Sequence, residues 1–328
     1  MTKTIKPFHI KNHFKSTLHK LPPEQQPNAY EQTFNFYEST WSKYCNPNER
    51  RGIDDFGLVK NFVQDGYRNV FHLLFCYGSN VSEPWMLEQA VHRLRRLSQL
   101  AGSICIGATS EVPMQFSVDD FTFHTTPVAE TSPFISYYDW KEWVGICLIN
   151  RDATNLAAVL KYHSSWAKTS MLGSDEAVLL ADYLKLAATL DARLPDFHEA
   201  HFGQIMARYD SVAVVLPVFL AVFNGDAEAF EQAIIYATEY RQRWYTKGVT
   251  RSPYDQFGFL PALLIGAAAL GFDRHGWQLQ HKNEYIPTWW MENQFDDYLA
   301  QMRAGADLRP KVLGFPKVKF LPLAGKAE

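Results

Sequence analysis

The sequence has few cysteines and none of the short motifs that mark common enzyme classes. Its 328 residues include four widely separated cysteines, at positions 45, 76, 105 and 147, with no Cys-x-x-Cys pair. This spacing fits neither a zinc site nor a dense disulfide framework, so we expect buried free thiols in a reducing compartment. No P-loop, Gly-x-Ser-x-Gly elbow or dinucleotide-binding glycine fingerprint is found. We therefore predict a protein that is not an enzyme and needs no cofactor.

The sequence also lacks an apolar run of membrane-spanning length. The uncharged run 257–272 has 16 residues and contains Pro261 and three glycines, whereas a spanning helix needs roughly 20 apolar residues. The first residues include lysines but no apolar core of a secretory signal. From these features we expect a cytoplasmic protein without a membrane partner.

Charge is distributed unevenly along the chain. The net charge is −3, yet residues 1–23 carry five lysines and no acid, and residues 309–328 carry a net charge of +4. The body between them, residues 24–308, is therefore at −12. Such a body favours a partner with a basic surface and opposes binding to nucleic acid. Ordinary solubility is the alternative explanation for the mild acidity.

The hydrophobic pattern predicts an all-α fold, an irregular bundle or solenoid of antiparallel helix pairs. We divide the chain into a basic lead-in at 1–29, an N-terminal helical region at 30–133, a C-terminal helical bundle at 134–308 and a basic tail at 309–328. Around 102–133 the helical pattern stops, and apolar and polar residues alternate at Met114, Phe116 and Val118. This alternation indicates a short β-hairpin or a long loop.

In the N-terminal region, apolar spacing predicts helices over 54–76 and 85–100, and five aromatic residues follow helical spacing ahead of them (Tyr30, Phe34, Tyr37, Trp41 and Tyr44). The stripe is typical of core packing, although it could also form a binding face. In the helix 85–100, four basic residues lie mostly opposite the apolar face, and we expect them to be solvated (His92, Arg93, Arg95 and Arg96).

In the C-terminal half, apolar periodicity predicts a helix over 175–194 that ends before Pro195, and an apolar segment over 212–223 that is kinked at Pro217. A further helix should begin near Pro261, end at Gly276 and lie buried, because it has no charged face until Asp273. Its small residues, Gly266 among them, should let a neighbouring helix approach its backbone.

One arrangement suggests a metal site. His198 and His201 are three residues apart on one helix face, with Asp196 nearby. The metalloprotease pattern His-Glu-x-x-His needs histidines four apart, so the spacing fails it. We expect no metal and keep a metal-dependent hydrolase only as a weak alternative. The acidic pairs Asp119-Asp120 and Asp296-Asp297 point to different sides of an element, which argues against a two-carboxylate catalytic site.

Several short stretches occur in an order that resembles one protein family. They are Trp140-Lys141-Glu142-Trp143, Ile149-Asn150-Arg151-Asp152, Phe230-Glu231-Gln232-Ala233, Gly258-Phe259-Leu260-Pro261, Ala267-Ala268-Ala269, Asp273-Arg274-His275-Gly276 and Tyr285-Ile286-Pro287. Over residues 134–292 the chain resembles the immunity 49 family, predicted immunity proteins of bacterial polymorphic-toxin systems. These stretches read as helix-packing and boundary motifs. A second helical immunity group, which guards against a nuclease toxin, has a similar tryptophan-rich C-terminal end.

The resemblance implies an all-helical protein that binds and neutralises a cognate toxin, with no family residue to carry over as a site. Our candidate contact residues are Trp289 and Trp290, of which at most one should point fully inward, together with Asp296 and Asp297, about two helical turns further on. The main alternative function is a helical-repeat scaffold or adaptor that binds an unrelated host protein.

Overall fold

The computed structural model describes residue 8 and residues 84–112, 114–118, 121–125, 137–169, 175–247 and 260–304. These residues form ten helices and two strands, so the all-α prediction with a short hairpin is confirmed for this part of the chain. The basic lead-in other than Phe8, the aromatic stripe, the helix predicted over 54–76, the stretch 253–259 and the basic tail lie outside the described residues.

The elements follow one another along the chain with short breaks. They are α1 (Pro84–Thr109), β1 (Met114–Val118), β2 (Phe121–Thr125), α2 (Tyr137–Ile149), α3 (Ala153–Thr169), α4 (Asp175–Thr189), α5 (Leu194–Ala213), α6 (Leu216–Asn224), α7 (Ala227–Lys247), α8 (Ala262–His275), α9 (Thr288–Met291) and α10 (Phe295–Arg303). One continuous hydrophobic core joins residues from α1 to α10. None of the helices in the described ranges is long and apolar enough to cross a membrane.

Helix α8 lies at the centre of this core, packed against α2, α6, α7 and α9. Pro261 immediately precedes its first residue, and Gly276 ends it in the left-handed conformation (φ 71°), as the sequence predicts. The close approach expected at Gly266 is confirmed, because a Cβ there would lie 2.9 Å from the carbonyl oxygen of Gly145 in α2. Gly145 is tighter still: its Cβ would lie 2.3 Å from the backbone carbon of Ala262.

Helix α1 differs from its prediction in length and in exposure. It continues eight residues into the interval that the sequence assigns to a non-helical excursion, and it ends at Thr109. Arg93 and Arg96 are buried, so the prediction of a solvated basic face is wrong for them and holds only for His92 and Arg95. The reason is that α2, α3, α10 and β1 all pack against this helix and cover more than one of its sides.

The alternating residues after α1 form an antiparallel hairpin. Phe116 pairs with Phe123, and Val118 pairs with Phe121. Val118 is buried, whereas the side chains of Ser117 and Thr122 are exposed and lie 2.9 Å apart through their hydroxyl oxygens. Strand β1 therefore places its apolar side on α1, as the period of two predicts.

Two helix boundaries in the following segment fall elsewhere than the sequence suggests. The predicted helix 175–194 ends at Thr189, because Leu190 has a positive φ of 49°, and Pro195 lies in the first turn of α5 instead of ending α4. Pro217 likewise lies in the first turn of α6, so the apolar run 212–223 is divided into two helices. In both places proline begins a helix, where its missing N–H costs no hydrogen bond.

An extended segment, residues 276–287, follows α8 and returns across α7. Phe8 pairs with it in a parallel bridge: its N–H donates to the carbonyl of Lys282, and its carbonyl accepts from the N–H of Glu284. The segment then leads into α9, which has only four residues, and a turn at Asn293 (φ 54°) separates α9 from α10.

Candidate functional site

The two candidate tryptophans are both buried. Trp289 is 0% and Trp290 is 4% exposed, so the expectation that at most one could point inward is wrong. Because α9 is so short and the chain turns directly after it, neighbours cover both rings: their centroids lie 4.6 Å apart, and Phe295 of α10 lies 6.0 Å from Trp289. Contact with a toxin stays a prediction for these residues, and it would require the C-terminal end of the bundle to open.

The two candidate aspartates are exposed on α10. They do not continue the helix of the tryptophans, since α9 ends at Met291 and a new helix begins at Phe295. Asp296 and Asp297 lie in its first turn, where a negative charge stabilises the helix dipole. This position accounts for them structurally, and their contact with a toxin also stays a prediction.

Arg151 joins two of the stretches that the sequence singles out. Its guanidinium donates two hydrogen bonds of 3.0 Å to the carboxylate of Asp273, at the end of α8. The same group donates to the carbonyls of Ile149, Trp290 and Met291 at 2.8, 2.8 and 2.6 Å. Arg151 itself lies between α2 and α3 with a φ of 54°. One side chain thus holds the ends of α2, α8 and α9 together.

The residues on either side of Arg151 in the sequence attach α1 by hydrogen bonds in the same way. The Asn150 amide donates to the carbonyl of Leu94 at 2.8 Å, and the Asp152 carboxylate accepts from the hydroxyl of Ser98 at 2.8 Å. Asp152 also accepts the backbone N–H of Asn155 and so caps α3. These contacts show that the stretch 149–152 is a packing and boundary motif.

The two histidines of the possible metal site are engaged by aromatic neighbours. The Nδ1 atom of His198 lies 2.6 Å from the Tyr183 hydroxyl, and its ring stacks on Phe202 with centroids 4.4 Å apart. The ring of His201 lies 4.5 Å from that of Phe197. Burial lowers the pKa of His198 and raises that of Tyr183. In the described part of the chain, no three His, Cys, Asp or Glu side chains are close enough to hold a metal ion.

A buried polar network attaches the segment 276–287 to α7. The Glu231 carboxylate accepts from Nδ1 of His281 and, at 3.1 Å, from the backbone N–H of Gln280. Further along α7, the amide of Asn283 donates to the Thr238 hydroxyl at 2.9 Å. Burial of these polar groups is tolerated because they bond to one another.

Above this network lies an open pocket of about 250 Å³ between the start of α7 and the segment after α8. Its lining residues come from both elements: Ala227, Phe230, Glu231, Gly276, Trp277, Gln278 and Gln280. The sequence could not have indicated it, because nothing in the pattern shows that residues 276–280 fold back onto α7.

The sequence pattern also did not single out one exposed aromatic residue. Tyr236 on α7 is 45% exposed, and among the described residues only Ile106 and Val112 are comparably exposed large apolar side chains. It lies opposite the buried face that contains Phe230, Ile234 and Ala237. The available signal was an aromatic residue on the polar face of an amphipathic helix.

The two described cysteines, Cys105 and Cys147, are buried free thiols as expected, and burial raises the pKa of both.

Comparison with known proteins identifies a matching family. The sequence model of the family "Immunity protein 49" matches residues 108–290, which extend from the end of α1 through the central helix α8 to α9. No curated protein and no solved structure matches the chain significantly.

Proposed function

Because the chain belongs to the immunity protein 49 family, we propose that it is an immunity protein that binds and neutralises a cognate antibacterial toxin by stoichiometric protein–protein interaction. The observation that carries this proposal is the family match over residues 108–290, which covers more than half of the chain and most of its packed helices. Neutralisation then requires a surface for the toxin. We propose that binding on this surface occludes the active site or the substrate surface of the toxin and protects the producing cell, without catalysis by the immunity protein itself.

Exposure favours α7 as part of that surface. Residues 175–247, which include α4 to α7, carry eleven acidic and six basic side chains, an excess that complements a toxin with a basic surface, while α7 itself carries three of each sign. Glu239 and Tyr236 are both exposed on the outer side of α7. Tyrosine is among the residue types that dominate the binding energy of protein interfaces, so Tyr236 is a better candidate anchor than the buried Trp289.

The first prediction concerns the partner. We expect the protein encoded by the reading frame next to this gene to contain a toxin domain, and its inactivated form to bind this chain in a 1:1 complex. Light scattering coupled to size-exclusion chromatography gives the stoichiometry, and growth of toxin-producing cells with and without this chain measures protection.

Association should slow as salt rises from 0.1 M to 1 M, since the Debye length falls from about 10 Å to about 3 Å. A neighbouring protein that neither binds nor is neutralised would contradict the proposed function and favour a scaffold.

The second prediction concerns Tyr236. Tyr236→Ala should accelerate dissociation of the complex by about 10- to 30-fold, corresponding to the roughly 1.4–2 kcal/mol expected for an interface anchor. Its melting temperature should not change, because the side chain is half exposed. Stopped-flow or surface-plasmon-resonance kinetics measure the effect.

Gln232→Ala is the matched control, because Gln232 is exposed one helical turn earlier on α7. The Asp296→Asn, Asp297→Asn double variant tests the aspartates by the rate of association instead. If Tyr236→Ala dissociates at the wild-type rate while the double variant associates more slowly, the interface lies at α10 and not at α7.

A further inference from the structure

The pocket between α7 and the segment after α8 has the size of one side chain. Its volume of about 250 Å³ lies below the roughly 300–1,000 Å³ of pockets that hold drug-sized ligands. It is open to the surface, and Ala227, Gln278 and Gln280 at its edge are exposed. These features suit insertion of one long side chain by a macromolecular partner.

Glu231 contributes a fixed acceptor to this pocket. The residue is only 9% exposed, and the described hydrogen bonds from His281 and Gln280 both go to Oε1. Oε2 has no hydrogen-bond partner among the described residues and is not one of their fully buried unpaired atoms. It is therefore available to a further donor.

The partners of His281 orient its ring toward Glu231. The backbone N–H of Tyr285 donates to Oδ1 of Asn283, which fixes the orientation of that amide and leaves Nδ2 as a donor. Nδ2 lies 3.4 Å from Nε2 of His281, and Nδ1 on the other side of the ring bonds to the carboxylate of Glu231. The ring thereby holds the Glu231 carboxylate in place beside the pocket.

Trp277 adds an aromatic wall. Its ring stacks on His275, with centroids 4.2 Å apart and planes 21° apart, and lies 5.0 Å from the ring of Phe230. His275 covers one face of this indole, and the aromatic surface that lines the pocket beside the carboxylate attracts a cation. The side-chain carbonyls of Gln278 and Gln280 can accept further N–H groups of a guanidinium or ammonium.

We propose that this pocket receives an arginine or lysine side chain of the toxin. The proposal rests on the proposed function and specifies one contact within it. The carboxylate of Glu231 pairs with the cationic group, Trp277 stacks against it, and the glutamines bind its remaining donors. A basic toxin surface would thereby be held in one orientation on this chain.

The test uses two arginine substitutions at the start of α7. Ala227→Arg places a cation at the pocket, whereas Ala229→Arg places the same charge in the same helical turn at an exposed position that does not line it. We expect the Kd for the inactivated toxin domain to rise at least tenfold with Ala227→Arg and less than twofold with Ala229→Arg. Glu231→Gln, which keeps an acceptor for His281, should also weaken binding at least tenfold.

A calorimetric titration gives each Kd, and a thermal melt checks folding. If Glu231→Gln fails to fold, the exposed pair Ala227→Arg and Ala229→Arg decides the question alone. If these two variants bind the toxin with equal affinity, the proposed role of the pocket is wrong while the proposed function still holds. If the wild-type chain does not bind the toxin, the role of the pocket and the proposed function are both wrong.

A double-mutant cycle then identifies the inserted residue. Each lysine and arginine of the toxin is replaced by alanine and measured against wild type and Ala227→Arg. One of these toxin substitutions should weaken binding to the wild-type chain but have no effect on binding to the Ala227→Arg variant. Additive effects for all of them would show that the toxin does not supply the cation, and would overturn the proposal.

Discussion

Replacing Gly145 with alanine should destabilise the protein by about 3 kcal/mol or more, at the upper end of the cost of overpacking a core. The added methyl would lie 2.3 Å from the carbonyl carbon of Ala262 and 2.4 Å from the nitrogen of Leu263. Both atoms belong to the backbone of α8, so the methyl cannot be accommodated by a change of side-chain rotamer. The helix would have to move away from α2. Urea denaturation followed by circular dichroism measures the loss.

Two other helical glycines give a graded comparison. A Cβ at Gly266 would meet the side chain of Leu148 and the carbonyl of Gly145, both at 2.9 Å, so Gly266→Ala should cost less than Gly145→Ala. Gly203 is exposed and has no atom within 4 Å of the added carbon, so Gly203→Ala should stabilise the protein by about 0.5–1 kcal/mol through helix propensity. If Gly145→Ala is no worse than Gly203→Ala, α2 and α8 do not cross as closely as described.

Replacing Arg151 with lysine should lower the free energy of unfolding by about 2–3 kcal/mol. Lysine retains the positive charge beside Asp273, but its single ammonium group cannot also reach the carbonyls of Ile149, Trp290 and Met291. Each hydrogen bond from a charged donor contributes about 1.5–3 kcal/mol, and part of this remains with lysine. The loss should be largest at α9, whose attachment depends on two of these carbonyls. Hydrogen exchange of residues 288–294 should therefore accelerate.

Arg193→Lys is the matched control. Arg193 also makes two hydrogen bonds to a carboxylate, that of Asp191, but its side chain is 75% exposed. We expect no measurable change in stability, because an exposed pair competes with water. If the two lysine variants unfold at the same urea concentration, Arg151 does not hold the helix ends together.

Local chemistry predicted the fold wherever one residue decides the outcome. Gly276 ends α8 because glycine adopts the left-handed conformation readily, and Gly266 marks a close contact because it has no side chain. The alternation at Met114, Phe116 and Val118 indicated a hairpin or a long loop, and the hairpin is the one that forms. In each case the signal lies within a few residues and needs no tertiary partner.

Tertiary packing explains what the sequence could not show. Arg93 is buried because several elements surround α1, and no helical periodicity reveals how many sides will be covered. Trp289 and Trp290 are both buried because α9 stops after one turn, a boundary that no proline or glycine marks. The pocket at Glu231 and Trp277 depends on a segment that returns from the far end of α8. These features require long-range contacts, which a local pattern does not contain.

The crossing of α2 and α8 also affects how the protein is made. Gly266 follows Gly145 by 121 residues, which a ribosome adds in about 6–24 s at roughly 5–20 residues per second. During that interval the side of α2 that contains Gly145 is not yet covered by α8. The apolar residues Trp143, Val144 and Leu148 lie beside it. Newly made chains should therefore depend on chaperones until α8 emerges.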